Sequence, residues 1–151
     1  MDIQKISECF EHCLYFSMSK MQRQISSMAE LSFKELDIAP SYAFLLMSLN
    51  ENDKLSSGQV GEIIGVCPST TTRFVDKLIQ KDLCKRTIIG RNSYVSITKK
   101  GKEMMPEINK CWKILCKMMN DTYGKADVDN LNDAIVELNN KNCNTKCYCD
   151  K

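Results

Sequence analysis

The chain has 151 residues, 43% apolar and 26% charged, with a formal net charge of +2. This length and balance fit one domain able to bury roughly 70% of its unfolded surface without disulfide staples. They exclude collagen and a disordered chain, and no apolar run is long enough to span a bilayer, which excludes a helical membrane channel.

Asp2, Lys5, Glu8 and Glu11 fall where a signal peptide needs its apolar stretch, so a cytoplasmic location without membrane attachment is expected. Nine cysteines are an odd number and fall below the density of small disulfide scaffolds. In a reducing compartment such thiols fill core space, bind metal or respond to oxidants. The small net charge hides an asymmetry. Residues 54–102 carry ten basic and three acidic side chains, a surplus of +7, while the remainder carries −5. A basic middle between acidic arms suits contact with a polyanion.

In chain order, Ile3, Ile6, Phe10 and Cys13, then Met21, Ile25 and Met28, follow steps of three and four, so one long amphipathic helix is expected. Residues 39–49, led by Pro40, read as a short, deeply buried helix. Ser56 or Ser57 caps a third helix with Val60, Ile63 and Ile64 inside, stopped near Gly65. Pro68 opens a fourth, with Thr71, Phe74 or Val75, Leu78 and Ile79 inward. Residues 83–89 and 93–98 are rich in β-branched side chains and flank Gly90-Arg91-Asn92, which predicts a two-stranded hairpin with a three-residue turn.

Residues 99–123 return to helix. Met104, Ile108, Cys111, Leu115 and Met118 form one stripe and Met105, Trp112, Cys116, Met119 and Tyr123 its neighbour, which predicts burial over a wide face. Pro106 should kink or locally unwind this helix. Gly124 ends it, and Val128, Leu131, Ile135 and Leu138 mark a final helix before a polar tail.

Helix, short turn, helix and basic hairpin follow the order of a winged helix-turn-helix, whose second helix enters the DNA major groove. Its outward residues here are Ser69, Thr70, Thr72, Arg73 and Lys77. Arginine reads guanine bidentately, hydroxyls reach bases or phosphates, and threonine methyls pack on thymine.

Residues 36–105 also resemble the MarR family of winged-helix transcriptional regulators. The resemblance rests on SSGQVGEIIGVCPSTTTRFVDKLIQKDLCKR and on GRNSYVSITKKGKEMM. STTTRFVDKL is similar to the family's recognition helix, with Arg73 at the place of its frequent arginine, and ITKKG looks like the motif that joins wing to long helix. Two departures stand out. Arg91 matches the arginine of the family's Asp-x-Arg wing tip, but Ile89 replaces the aspartate. Cys67 occupies the usual polar N-cap position, where it should cap poorly.

The resemblance implies a mainly α fold: a winged lobe over residues 36–102 with a two-stranded β-wing, dimerisation helices at 1–35 and 103–142, and a Cys-rich polar tail at 143–151. It implies a homodimer that reads a pseudo-palindromic site on double-stranded DNA through Ser69, Thr70, Thr72, Arg73, Lys77, Arg91 and Asn92. Such a regulator acts as a repressor, released by a small-molecule effector, an oxidant or a metal that acts where arms meet lobes. Ile6, Phe10, Leu131 and Ile135 are the candidate dimer seam.

His12 is the only histidine and no Gly-rich phosphate loop exists, so no enzymatic activity and no required cofactor are expected. Cys84, Cys111 and Cys116 read as core. Cys143, Cys147 and Cys149 sit in a tail without apolar pattern, whereas Cys9, His12 and Cys13 share one face of the expected helix. Together these six are candidates for a thiophilic metal or for oxidant sensing. The alternative from another class is a metal- or redox-handling protein that uses the winged fold for protein interaction.

Overall fold

The computed structural model describes residues 10–52 and 54–141. Its elements are α1 (Leu14–Ser32), α2 (Pro40–Asn50), β1 (Leu55–Ser56), α3 (Ser57–Ile64), α4 (Pro68–Gln80), β2 (Cys84–Ile89), β3 (Asn92–Ile97), α5 (Lys99–Tyr123) and α6 (Lys125–Lys141). The fold is mainly helical with one small antiparallel sheet.

The first helix does not run through the expected stripe. His12 lies in a turn and Cys13 is the N-cap of α1, with extended φ −93° and ψ 118°. Two local interactions hold the break. The Phe10 ring folds back onto Phe16, with centroids 4.3 Å apart, and Ser17 Oγ donates to the Glu11 carbonyl at 3.1 Å. In a continuous helix residues six apart face about 120° away from each other, so this ring contact requires the bend.

Beyond the break, α1 packs on α5, and its inner end contributes Ala29 and the following Phe33 to the core. Pro40 starts α2 at a position where its missing N–H costs nothing, and Ala43, Leu45, Leu46 and Leu49 are fully buried against α3, β3 and α5. The core continues through Val60 of α3, Val75 and Leu78 of α4, Val95 of β3 and Ile108 of α5.

The sheet has three strands in the order β1-β3-β2, where the sequence pattern indicates two. The added strand pairs Leu55 with Val95 and Ser56 with Tyr94. It is two residues long, too short to show any alternation. In the hairpin, Arg86 pairs with Val95 and Ile89 with Asn92, so the turn is Gly90-Arg91 alone and Asn92 belongs to the strand. Gly90 takes φ +63°, which suits the first place of a two-residue hairpin loop and which a β-carbon would disfavour.

The long helix α5 is helical throughout, Pro106 included, so no local unwinding occurs there. Packing of Met105, Ile108, Cys111 and Leu115 into the core holds the turns on both sides of the proline. The second stripe is only half covered, with Trp112 39% exposed. Gly124 ends α5 with φ +83°, and α6 begins at the next residue. Helix α6 packs on α5 yet buries no residue completely, and Leu138 of its expected inner stripe is exposed.

Candidate DNA-binding surface

The two helices that carry the surface are locked by local chemistry. Ser56 caps α3 through a complete capping box: its Oγ accepts from the Gln59 N–H, and the Gln59 side chain accepts from the Ser56 N–H. Gly65 then closes the helix in the left-handed conformation, and Val66 and Cys67 lead directly into α4. A β-carbon on Gly61 would stand 2.9 Å from Thr71 Oγ1 and 3.1 Å from the Val66 carbonyl, so glycine sets how closely the two helices approach. Thr71 faces inward, and its Oγ1 donates to the Cys67 carbonyl at 3.1 Å.

The opposite face of α4 presents Ser69, Thr72, Arg73 and Lys77 to solvent, with Thr70 half-buried. Thr72 Oγ1 donates to the Pro68 carbonyl at 3.0 Å, which satisfies its proton and leaves its methyl group and lone pairs for a ligand. Cys67 gives α4 an extended N-cap without a side-chain cap bond, in line with its poor capping chemistry. Its Sγ lies 3.3 Å from Ser69 Oγ and 3.3 Å from Thr70 Oγ1.

Beyond α4, Asp82 takes φ +60° and the chain turns into the wing. Arg86 Nη2 donates to Asp76 Oδ1 at 2.8 Å and so ties β2 to the side of α4. Lys81 pairs with Asp37 at 2.6 Å, which holds that carboxyl below its ordinary range. Among the described residues, Arg73, Lys77 and Arg91 enter no ion pair. Their charge is available to an external anion. Arg91 stands exposed at the tip of the wing, and Ile88 and Ile89 beside it are exposed as well.

One junction was only partly visible in the sequence. Thr98 caps α5 by accepting from the Gly101 N–H at 3.1 Å, and its Oγ1 donates to the Asp82 carbonyl at 2.7 Å. A β-carbon on Gly101 would meet the Leu83 carbonyl oxygen at 2.3 Å and Ile97 Cγ1 at 2.7 Å. Lys100 Nζ reaches the Lys81 carbonyl at 2.9 Å, at the end of α4. Thr98, Lys100 and Gly101 of the ITKKG motif thus anchor wing, recognition helix and long helix at one point. The motif was legible, whereas the Arg86–Asp76 tie was missed and its signal was only two opposite charges ten residues apart.

The thiols divide. Cys84 and Cys111 are buried, and burial pushes the Cys84 thiol up to about 11 and raises that of Cys111, so both stay protonated and inert at neutral pH. Cys116 is half-buried, contrary to its expected place in the core. His12 and Cys13 do not share a helical face, because the chain leaves helix at these two residues. Cys9, Cys143, Cys147 and Cys149 lie outside the described residues. Among the described residues no three His, Cys, Asp or Glu side chains come together to hold a metal ion.

Several hollows lie along the arms, two of them lined also by α5. One, of about 480 Å³, lies where α1, α2 and α5 meet and is walled by Ile25, Ala29, Phe44, Trp112 and Met119. The other, of about 380 Å³, lies between α1, α5 and α6 and includes Met21, Cys116, Leu131 and Ile135. No helix among the described residues is long and apolar enough to cross a membrane.

Two helices joined by a tight turn and followed by an antiparallel wing define a DNA-binding winged helix-turn-helix protein. The family model of the MarR family matches residues 38–92. This segment belongs to the MarR family of transcription regulators.

Three solved structures illustrate the likeness. The PcaV transcriptional regulator from Streptomyces coelicolor, in complex with its natural ligand, shares 18% identity over 86% of this chain and 94% of its own, with a TM-score of 0.76. A probable transcriptional regulator from Pseudomonas aeruginosa shares 15% over 85% and 98%, at 0.75. The transcriptional repressor CouR, bound to a 23-mer DNA duplex, shares 16% over 91% and 97%, at 0.74. No curated protein matches the chain by sequence.

Proposed function

We propose that the protein is a homodimeric, sequence-specific transcriptional repressor that an effector releases from its operator. The observation that carries this reading is the outer face of α4. There Arg73 and Lys77, among exposed hydroxyls, are left without anionic partners, while the neighbouring Arg86 and Lys81 are neutralised by Asp76 and Asp37. A major groove supplies what this face lacks: guanine acceptors for Arg73, phosphates for Lys77 and the hydroxyls of Ser69 and Thr70, and thymine methyls for Thr72. Arg91 follows the backbone into the adjacent minor groove, with Asn92 behind it. CouR, of similar fold, is a repressor solved on DNA.

Two further features support the assembly and its release. Phe10, Leu14 and Tyr15 around the start of α1 and Val136 and Leu138 of α6 are exposed, apolar surface that a second copy would cover. The hollow between α1, α2 and α5 lies where arm meets lobe, so an occupant there alters the angle between them and the spacing of the two recognition helices. PcaV, of similar fold, was solved with its natural ligand.

The test is duplex binding by fluorescence anisotropy, using an inverted repeat from the DNA beside the protein's own gene. Affinity is expected to fall steeply with salt as neutralised phosphates release counterions. Arg73→Ala should cost about 1–3 kcal/mol on this site with the dimer intact. Absence of duplex binding at low salt would overturn the reading in favour of the metal- or redox-handling alternative.

A further inference from the structure

We infer that the effector taken by the hollow between α1, α2 and α5 is a hydrophobic cation, an organic ammonium rather than an organic acid. This inference rests on the regulator reading above and names the ligand class of its cavity.

The walls are apolar and aromatic. Phe44 and Trp112 meet edge-to-face at 5.2 Å and 87°, flanked by Ile25, Leu115 and Met119. The polar residues that line it are Ser26, Ser41 and Glu30, and among the described residues no lysine, arginine or histidine joins them. Of two adjoining hollows, the one that shares Ile25, Trp112 and Met119 has Asp129 as its one charged side chain, and the one that shares Ser26 and Glu30 is lined also by Arg23.

The charge decides the class. A carboxylate ligand entering this space loses hydration, finds no counter-charge among the described residues that line it and faces Glu30, so its desolvation goes uncompensated. An ammonium ion meets the opposite situation. Its apolar body replaces water against Ile25 and Met119, its charge is balanced by Glu30 at the mouth, and an indole face attracts cations more strongly than any other side-chain ring. Met119 adapts its shape to the occupant. The surplus of basic residues lies instead in residues 54–102, whereas the remainder of the chain carries a net negative charge.

Trp112 is the only tryptophan of the chain and borders the cavity, so its fluorescence reports occupancy without any added label. Three optically silent probes of one shape separate the charge effect from size: 1-adamantylammonium, 1-adamantanol and 1-adamantanecarboxylate. With the full-length protein the ammonium is expected to perturb Trp112 emission and to bind about tenfold more tightly than the alcohol, the carboxylate more weakly than either. Glu30→Gln should remove the ammonium's advantage, while Asp129→Asn, in an adjoining hollow, should keep it. Equal or tighter binding of the carboxylate, or no response to any probe, overturns the inference, as does a preference that survives Glu30→Gln. Anisotropy of the operator complex in the same titration separates the two levels. Glu30-dependent binding of the ammonium with no release of DNA upholds the ligand class and overturns only its regulatory use.

Discussion

Gly101 shows how one side chain, here an absent one, governs the DNA-binding lobe. The N-terminal turn of α5 passes so close to the end of α4 that a methyl group would overlap a backbone carbonyl oxygen at 2.3 Å. Backbone cannot swing aside as a flexible side chain can, so the strain must move the helix or the strand. Gly101→Ala is expected to destabilise the protein by about 1–3 kcal/mol, read as a lower urea midpoint at unchanged slope. Thr98 beside it caps the helix and bonds back to Asp82, and this pairing of a cap with a close approach is why threonine and glycine stand three residues apart. The motif was readable in the chain. The contact that makes its glycine necessary comes from Leu83, eighteen residues earlier, and only folding brings it there.

Among the elements, the wing departs most from what its sequence resembles. Its turn has two residues rather than three, so Arg91 stands at the apex and Asn92 pairs with Ile89 in the ladder. The position where the resembling family places an acid holds Ile89, so no carboxylate at that position braces Arg91. What positions the wing instead is the Arg86–Asp76 bond to the recognition helix. Arg91→Ala is therefore expected to weaken operator binding most on duplexes with A·T-rich flanks, where a narrow minor groove concentrates negative potential. Equal losses on A·T-rich and G·C-rich flanks, measured by anisotropy at one salt concentration, would reduce Arg91 to a phosphate contact. The helices behave differently from the wing. Those with caps or proline starts, α2 to α4, stand where their signals place them. The single helix expected across Cys13 is broken by the Phe10–Phe16 ring contact, an interaction between residues that helical periodicity puts on different faces.

For the molecule as a whole, exposed aromatic surface is concentrated at the outer end of α1, where Tyr15 is 72% and Phe10 45% exposed. Neither belongs to the buried core, so a charge placed there acts on assembly rather than on the lobe. Phe10→Asp is expected to yield monomers in sedimentation equilibrium with the helical circular dichroism retained, because an aspartate buried between copies finds no partner. A stable dimer of this variant would refute a seam through Phe10; Leu131 and Ile135, also expected there, instead line the hollow between α1, α5 and α6.

Fold class, recognition helix and wing were legible in the chain, because each rests on short-range rules: apolar spacing at 3.6 or 2 residues, caps, and glycines at positive φ. The outward residues of α4 followed from the same spacing, since fixing Thr71, Val75 and Leu78 inside leaves Arg73 and Lys77 outside. Tertiary structure alone decided the rest. Strand β1 exists because β3 offers it an edge, α5 stays helical across Pro106 because its neighbours hold it, and Cys116 is half-open because α6 covers less than its stripe allows. The cavity beside Trp112, and the lack of any base among the described residues of its walls, arise where α1 and α2 meet the sequence-distant α5. Such a site has no local pattern, since its composition is set by which surfaces meet.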